Sequence, residues 1–144
     1  MTSEMYVVIA GCGRVGSSMA RQLVEEGHDV VLIDEDPGAF EILGDDFPAQ
    51  FVVGAALDWE ILRRAGIEGA DAFASVTDGD NTNIVCALIA AREFEVRCSI
   101  ARVYDPLRAE LFADTGIRTV CPTKEARLMM LDAVRSCPMN TTGG

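Results

Sequence analysis

The sequence predicts an α/β fold: a doubly wound, six-stranded parallel sheet in the order 3-2-1-4-5-6, with helices on both faces. Three observations predict it. Apolar runs of strand length alternate with stretches of helical length along the whole chain, and crossovers of that kind make a parallel sheet covered on both sides. The first apolar run passes into Gly11-Cys12-Gly13-Arg14-Val15-Gly16, a G-x-G-x-x-G turn that opens a helix. The second run closes on an acid, Asp34, 18 residues beyond Gly16. Strand, glycine turn, helix, strand and terminal acid make a Rossmann-like reading more specific than the glycine turn alone.

The elements follow in order. Residues 5–10 read as the first strand, the amphipathic stretch after the turn as the first helix, and 29–34 as the second strand. A short helix is expected over 37–43, a strand over 49–53, and a helix over 58–65 that stops at Gly66. Residues 70–76 form a fourth strand, and Asp80 is expected to cap a long helix reaching about Arg92. The fifth strand spans 96–103. Pro106 opens a helix to about Asp114 and Gly116 ends it. A short strand at 119–121 precedes a last helix over 124–135, with Pro138 beyond. Right-handed crossovers then give the stated strand order.

In such a sheet a ligand lies across the carboxyl ends of strands one and four, where the order reverses. Gly11 allows the tight turn, Gly13 lets a pyrophosphate approach the backbone, and Gly16 lets the helix pack against the strand. Helix-start N–H groups attract the phosphate. Asp34 is placed to accept from ribose hydroxyls. With Glu35 and Asp36 beside it, the sequence argues against a 2′-phosphate. NAD(H), or an adenosine nucleotide such as ATP, ADP or AMP, therefore fits better than NADP(H). Thr77 and Asn83 flank the end of the fourth strand on the same side, where they contact a ligand or merely accompany a helix cap. Arg14, in the first turn of the phosphate helix, reaches a terminal phosphate or stands in solvent. Arg102, inside an apolar strand, must find an acid or a phosphate. The candidate cofactor-binding residues are thus Gly11, Cys12, Gly13, Arg14, Val15, Gly16, Asp34, Glu35, Thr77, Asn83 and Arg102.

Composition narrows the classes further. A chain of 144 residues is one domain by length, and at 49% hydrophobic it can bury a core. A net charge of −11, with Lys124 the only lysine, excludes nucleic acid as the main partner. No apolar run has the length of a membrane span. Met1-Thr2-Ser3-Glu4 has neither a basic segment nor a cleavage site, so no secretory signal is expected. Five cysteines without C-x-x-C spacing suit neither a disulfide framework nor a zinc site. Residues 84–91 are apolar nearly all round, and the last helix is similar. Both suggest a self-association surface.

Residues 5–135 resemble the nucleotide-binding N-lobe of RCK domains, also called KTN or TrkA N-terminal domains, of potassium transport regulators. The likeness runs through 9–16, 31–36, 65–72, Val76-Thr77-Asp78 with Asn83, and Ile100-Ala101-Arg102-Val103. It implies a nucleotide-binding lobe over 1–136, a flexible tail over 137–144, and a C-terminal lobe absent from this chain. It implies that the glycine turn, Asp34 and the Thr77 segment line the nucleotide site, with Arg14 and Arg102 near phosphate. It also implies a homodimer or a higher-order ring, cytoplasmic and held at the inner face of the membrane by a potassium channel or transporter subunit. The ligand would change the dimer geometry and so gate the pore. One departure concerns the adenosine side: Gly54-Ala55-Ala56-Leu57 stands where the family often has Gly-Asp-Ala-Thr, so Ala55 replaces an acid.

The alternative is the cofactor domain of an NAD-dependent dehydrogenase. Hydride transfer to a carbonyl usually needs a positioned proton donor. His28 lies in a turn at the end of the sheet opposite the ligand, and neither Tyr6 nor Tyr104 has a lysine at Y-x-x-x-K spacing. A non-catalytic regulator is therefore the leading expectation.

Overall fold

The computed structural model describes residues 3–140. Its elements are β1 (Tyr6–Ala10), α1 (Arg14–Glu25), β2 (Asp29–Asp34), β3 (Gln50–Val53), α2 (Trp59–Arg64), β4 (Ala72–Ser75) and α3 (Asp80–Arg92). They continue with β5 (Cys98–Arg102), α4 (Pro106–Phe112), β6 (Arg118–Val120) and α5 (Pro122–Arg135). All strand pairs are parallel and the order is β3-β2-β1-β4-β5-β6, as the sequence predicts.

Strand alternation sorts the apolar side chains onto two faces. Val8, Ala10, Val31, Ile33 and Phe73 pack under the helices that carry Leu62, Ile84, Ala87 and Ala109. Val7, Ile9, Val30 and Leu32 pack under Ala20 of α1 and under Phe40. The central strands are therefore buried on both sides, and their carboxyl ends form a rigid rim.

The structure specifies one local element and changes another. The short helix expected over 37–43 is present as a 3₁₀ helix, Pro37–Leu43, with Asp36 accepting from Gly38 N at 2.9 Å. Pro37, Gly38 and Gly44 leave little helix propensity there. At α3 the N-cap is Gly79, and Asp80 is the first helical residue with no capping bond. Its carboxylate instead accepts from Tyr104 N (2.8 Å) and Asp105 N (3.0 Å), tying the start of α3 to the end of β5.

The two helices expected to be apolar all round differ. α3 buries Ile84, Cys86, Ala87 and Ala90 and leaves Val85 exposed. α5 buries no residue, and Met129 is 72% exposed. Of the expected tail, 137–140 lie beyond the last helix and 141–144 lie outside the described residues. No helix among the described residues is long and apolar enough to cross a membrane.

Candidate functional site

A cavity of about 710 Å³ opens at the carboxyl ends of the strands. One wall comes from β1 and β2. Gly11 has φ +104°, and a Cβ there would sit 3.0 Å from the backbone of Val76 and Thr77. Its N–H donates to Ile33 O at 2.7 Å, which locks the turn to β2. A Cβ on Gly16 would lie 1.8 Å from Gly11 O, so α1 meets the turn only because that side chain is missing. Gly13 differs: a Cβ there would meet nothing within 4 Å. The backbone at Gly13 faces open cavity, and no side chain caps the start of α1. These are the conditions for phosphate approach at a helix N-terminus.

Asp34 joins this wall to the glycine turn. Its Oδ2 accepts from Cys12 N at 2.8 Å and its Oδ1 from Asp36 N at 2.9 Å. Each oxygen has a further lone pair for a sugar hydroxyl. Cys12 lies buried beneath this carboxylate. Burial first, and then the nearby Asp34 charge, raise its thiol above the ordinary value, with Arg21 opposing. The thiol stays neutral and unreactive at neutral pH.

The other wall comes from β4 and β5, and here the structure departs from expectation. Asn83, expected beside the ligand, lies behind the cavity wall and is 0% exposed. Its amide oxygen accepts from Ser75 Oγ (3.1 Å), Thr77 N (2.9 Å) and Thr77 Oγ1 (2.6 Å). Its amide nitrogen donates to Thr77 O and Arg102 O, both at 2.9 Å. Both ends of the amide are occupied, so Asn83 holds the ends of β4 and β5 together.

Arg102 is 8% exposed and lines the cavity. Its Nη2 donates to Val76 O (3.0 Å) and Thr77 O (2.8 Å), and its guanidinium lies 4.9 Å from the Tyr104 ring. The acid that the sequence requires is poorly supplied: Asp78 stands 4.0 Å away and fully in solvent. Nε has no hydrogen-bond partner among the described residues. A buried guanidinium at a cavity wall, with its nearest acid in solvent, favours an anion in that cavity.

Of the eleven candidates, Gly11, Cys12, Gly13, Arg14, Val15, Asp34, Glu35, Thr77 and Arg102 line the cavity, whereas Gly16 and Asn83 stand behind it. Arg14 and Val15 are exposed at its mouth. Residues 54–57, expected on the adenosine side, and Thr82 also line it, as do Ala39 and Tyr104, which were not foreseen as binding residues. Tyr104 follows the end of β5, a signal that would have placed it on this rim. His28 sits at the far end of the sheet, its Nδ1 accepting from Met5 N at 3.0 Å. The cavity thus carries both signs of charge: Asp34, Glu35 and Asp36 follow β2, Arg14 opens α1 beside the glycine turn, and Arg102 stands at the end of β5.

The family model described as TrkA-N domain matches residues 7–123. The chain is 47% identical over 127 residues to a Trk system potassium uptake protein TrkA of Streptomyces coelicolor, a match covering 88% of this chain and 57% of the relative. The chain spans about half the length of the curated relatives it matches, 48–57% for the Pyrococcus abyssi and Streptomyces proteins. Among solved structures, the Kef CTD of Shewanella denitrificans in its AMP-bound form superposes with a TM-score of 0.76 at 21% identity, over 90% of this chain and 80% of that one. The GsuK channel bound to NAD superposes with a TM-score of 0.70 at 20% identity, over 83% of this chain and 22% of that one. At such identities the two superpositions establish a shared fold.

Proposed function

The chain belongs to the TrkA-N domain family, and from that premise we propose that it is a nucleotide-binding regulatory domain of a potassium transport system. One observation carries this reading. The buried Arg102, its Nε without a hydrogen-bond partner among the described residues, lines a cavity whose opposite wall presents Asp34 and the open backbone of Gly13. An anion linked to a ribose meets both demands at once. NAD(H) is the first candidate, with ATP, ADP or AMP as the alternative. The bound NAD of GsuK and the bound AMP of the Kef domain support this range of ligands.

In this reading Asp34 grips a ribose, the 11–16 turn and the start of α1 hold a diphosphate, and Arg14 and Arg102 register the charge of the phosphates. Glu35 and Asp36 disfavour a 2′-phosphate. The role is regulatory rather than catalytic: a nucleotide acts by binding two arrangements of the assembly with different affinity, and it shifts their balance by that difference alone. The assembly is a homodimer or a ring on the cytoplasmic side of a membrane-embedded potassium channel or transporter. The α5 helix, which buries no residue and exposes Leu, Met and Val side chains, supports self-association.

Titration calorimetry of the 144-residue chain with NAD, NADH, ATP, ADP, AMP and NADP tests the ligand class. Saturable binding of at least one of the first five is expected, with NADP weaker than NAD by about tenfold or more. Asp34→Ala should weaken binding by a similar factor. Undiminished binding by Asp34→Ala would remove that carboxylate from the site, and NADH oxidation with small carbonyl compounds would favour the dehydrogenase.

A further inference from the structure

Tyr104 occupies a junction that nucleotide binding alone does not require. Its ring covers the Arg102 guanidinium at 4.9 Å on the cavity side. Its N–H donates to Asp80 Oδ1 (2.8 Å) in the first turn of α3, and the next N–H, of Asp105, donates to Asp80 Oδ2 (3.0 Å). Asp105 is itself the cap of α4, its Oδ1 accepting from Leu107 N at 3.0 Å. The carbonyl of Tyr104 accepts from the thiol of Cys121 at 3.5 Å, and that same sulfur caps α5 by accepting from Lys124 N at 3.4 Å. Residues 104 and 105 therefore bind the starts of three helices, while one aromatic ring rests on the cation at the cavity.

We propose that Tyr104 is the positioning residue through which occupation of the cavity reaches α4 and α5. The inference rests on the nucleotide reading above. In the free protein the ring and two carbonyls hold Arg102, and Nε is unused. A phosphate offers the guanidinium a charge-assisted hydrogen bond, which is stronger than a half-exposed cation–π contact. Arg102 turns toward it and the ring loses its seat. The segment that moves with Tyr104 also carries the Asp105 cap and the acceptor for Cys121, so the first turns of α4 and α5 are altered together. α4 and α5 expose Leu107, Leu111, Met129, Met130 and Val134, so the signal arrives where the chain presents its apolar surface. The ring thus supplies a difference between free and bound states at sites the ligand never touches, as such coupling requires.

Hydrogen–deuterium exchange of the full 144-residue chain, with and without saturating NAD or, in a parallel series, AMP, tests this. Binding should change exchange in 105–112 and 118–128 by about threefold or more in the wild type and in Tyr104→Phe, which keeps the ring. Tyr104→Leu, compared at a nucleotide concentration that saturates that variant itself, should lose the change in both segments. Cys121→Ala, which keeps the ring but cuts the link to α5, should keep the change at 105–112 and lose it at 118–128. Retention of the full change in Tyr104→Leu, or wild-type binding without any change, overturns the inference while leaving the nucleotide site standing. A wild-type chain that binds neither NAD nor AMP removes the nucleotide reading and this inference with it.

Discussion

The two walls of the cavity are built by opposite means. The β1–β2 wall is made by leaving atoms out: Gly11 and Gly16 let backbone approach backbone, and Gly13 leaves room beside it. The β4–β5 wall is made by filling every valence: Asn83 makes five hydrogen bonds to Ser75, Thr77 and Arg102. Then it leaves one donor, Arg102 Nε, unused. A wall of missing atoms tolerates a ligand of many shapes but fails if a methyl appears. A wall of hydrogen bonds sets a charge in place but fails if one partner goes.

Substitutions should separate the two designs. The largest effect is expected from Gly16→Ala. Its Cβ would fall 1.8 Å from Gly11 O, a backbone atom that cannot swing away. A loss of about 3 kcal/mol or more, above the usual range for overpacking, is expected in urea unfolding. A fully stable Gly16→Ala would break the close-approach reading of the first wall. Asn83→Ala comes next. It leaves the part-buried Thr77 N and the buried Arg102 carbonyl without this partner, so about 2–4 kcal/mol should be lost. Binding should fall as well, because Thr77 and Arg102 lose their common anchor.

The third effect depends on pH. Cys86 lies behind the second wall, where burial pushes its thiol up to about 11 against the ordinary 9.0, with the Ser75 hydroxyl opposing. The folded chain keeps the proton that the unfolded chain gives up. The stabilisation is whole below pH 9.0 and is lost as pH rises toward about 11. Over that window the wild type should lose about 2–3 kcal/mol more than Cys86→Ala in parallel urea titrations, at about 1.4 kcal/mol for each pH unit. Parallel curves for the two proteins would mean that the second wall is wetter than its packing indicates.

The same contrast explains how much was legible in the sequence. The first wall is written locally: turn, helix and acid lie within residues 5–34, at spacings that follow from strand and helix geometry. The second wall joins residues far apart. Arg102 meets Val76 and Thr77 across 26 and 25 positions, and Asp80 meets Tyr104 across 24. Asp80 looks like a cap because an acid at a helix start usually is one. Only the pairing of β4 with β5 brings β5's end within its reach and turns the carboxylate outward to that loop. Asn83 looks like a ligand contact because it sits on the correct rim. That all its valences are taken is a property of packing, which a linear pattern does not carry. Sheet order and strand positions, set by alternating apolar runs and crossover handedness, were legible throughout.

Gly13 tests most directly whether the open wall exists for a ligand. Its φ of −87° suits alanine, and the added Cβ would meet nothing within 4 Å. Gly13→Ala should therefore melt within about 2 °C of the wild type, a shift worth well under 1 kcal/mol, and yet bind NAD or AMP at least about tenfold more weakly in calorimetry. Wild-type affinity in a stably folded Gly13→Ala would contradict the claim that a phosphate seats against this backbone.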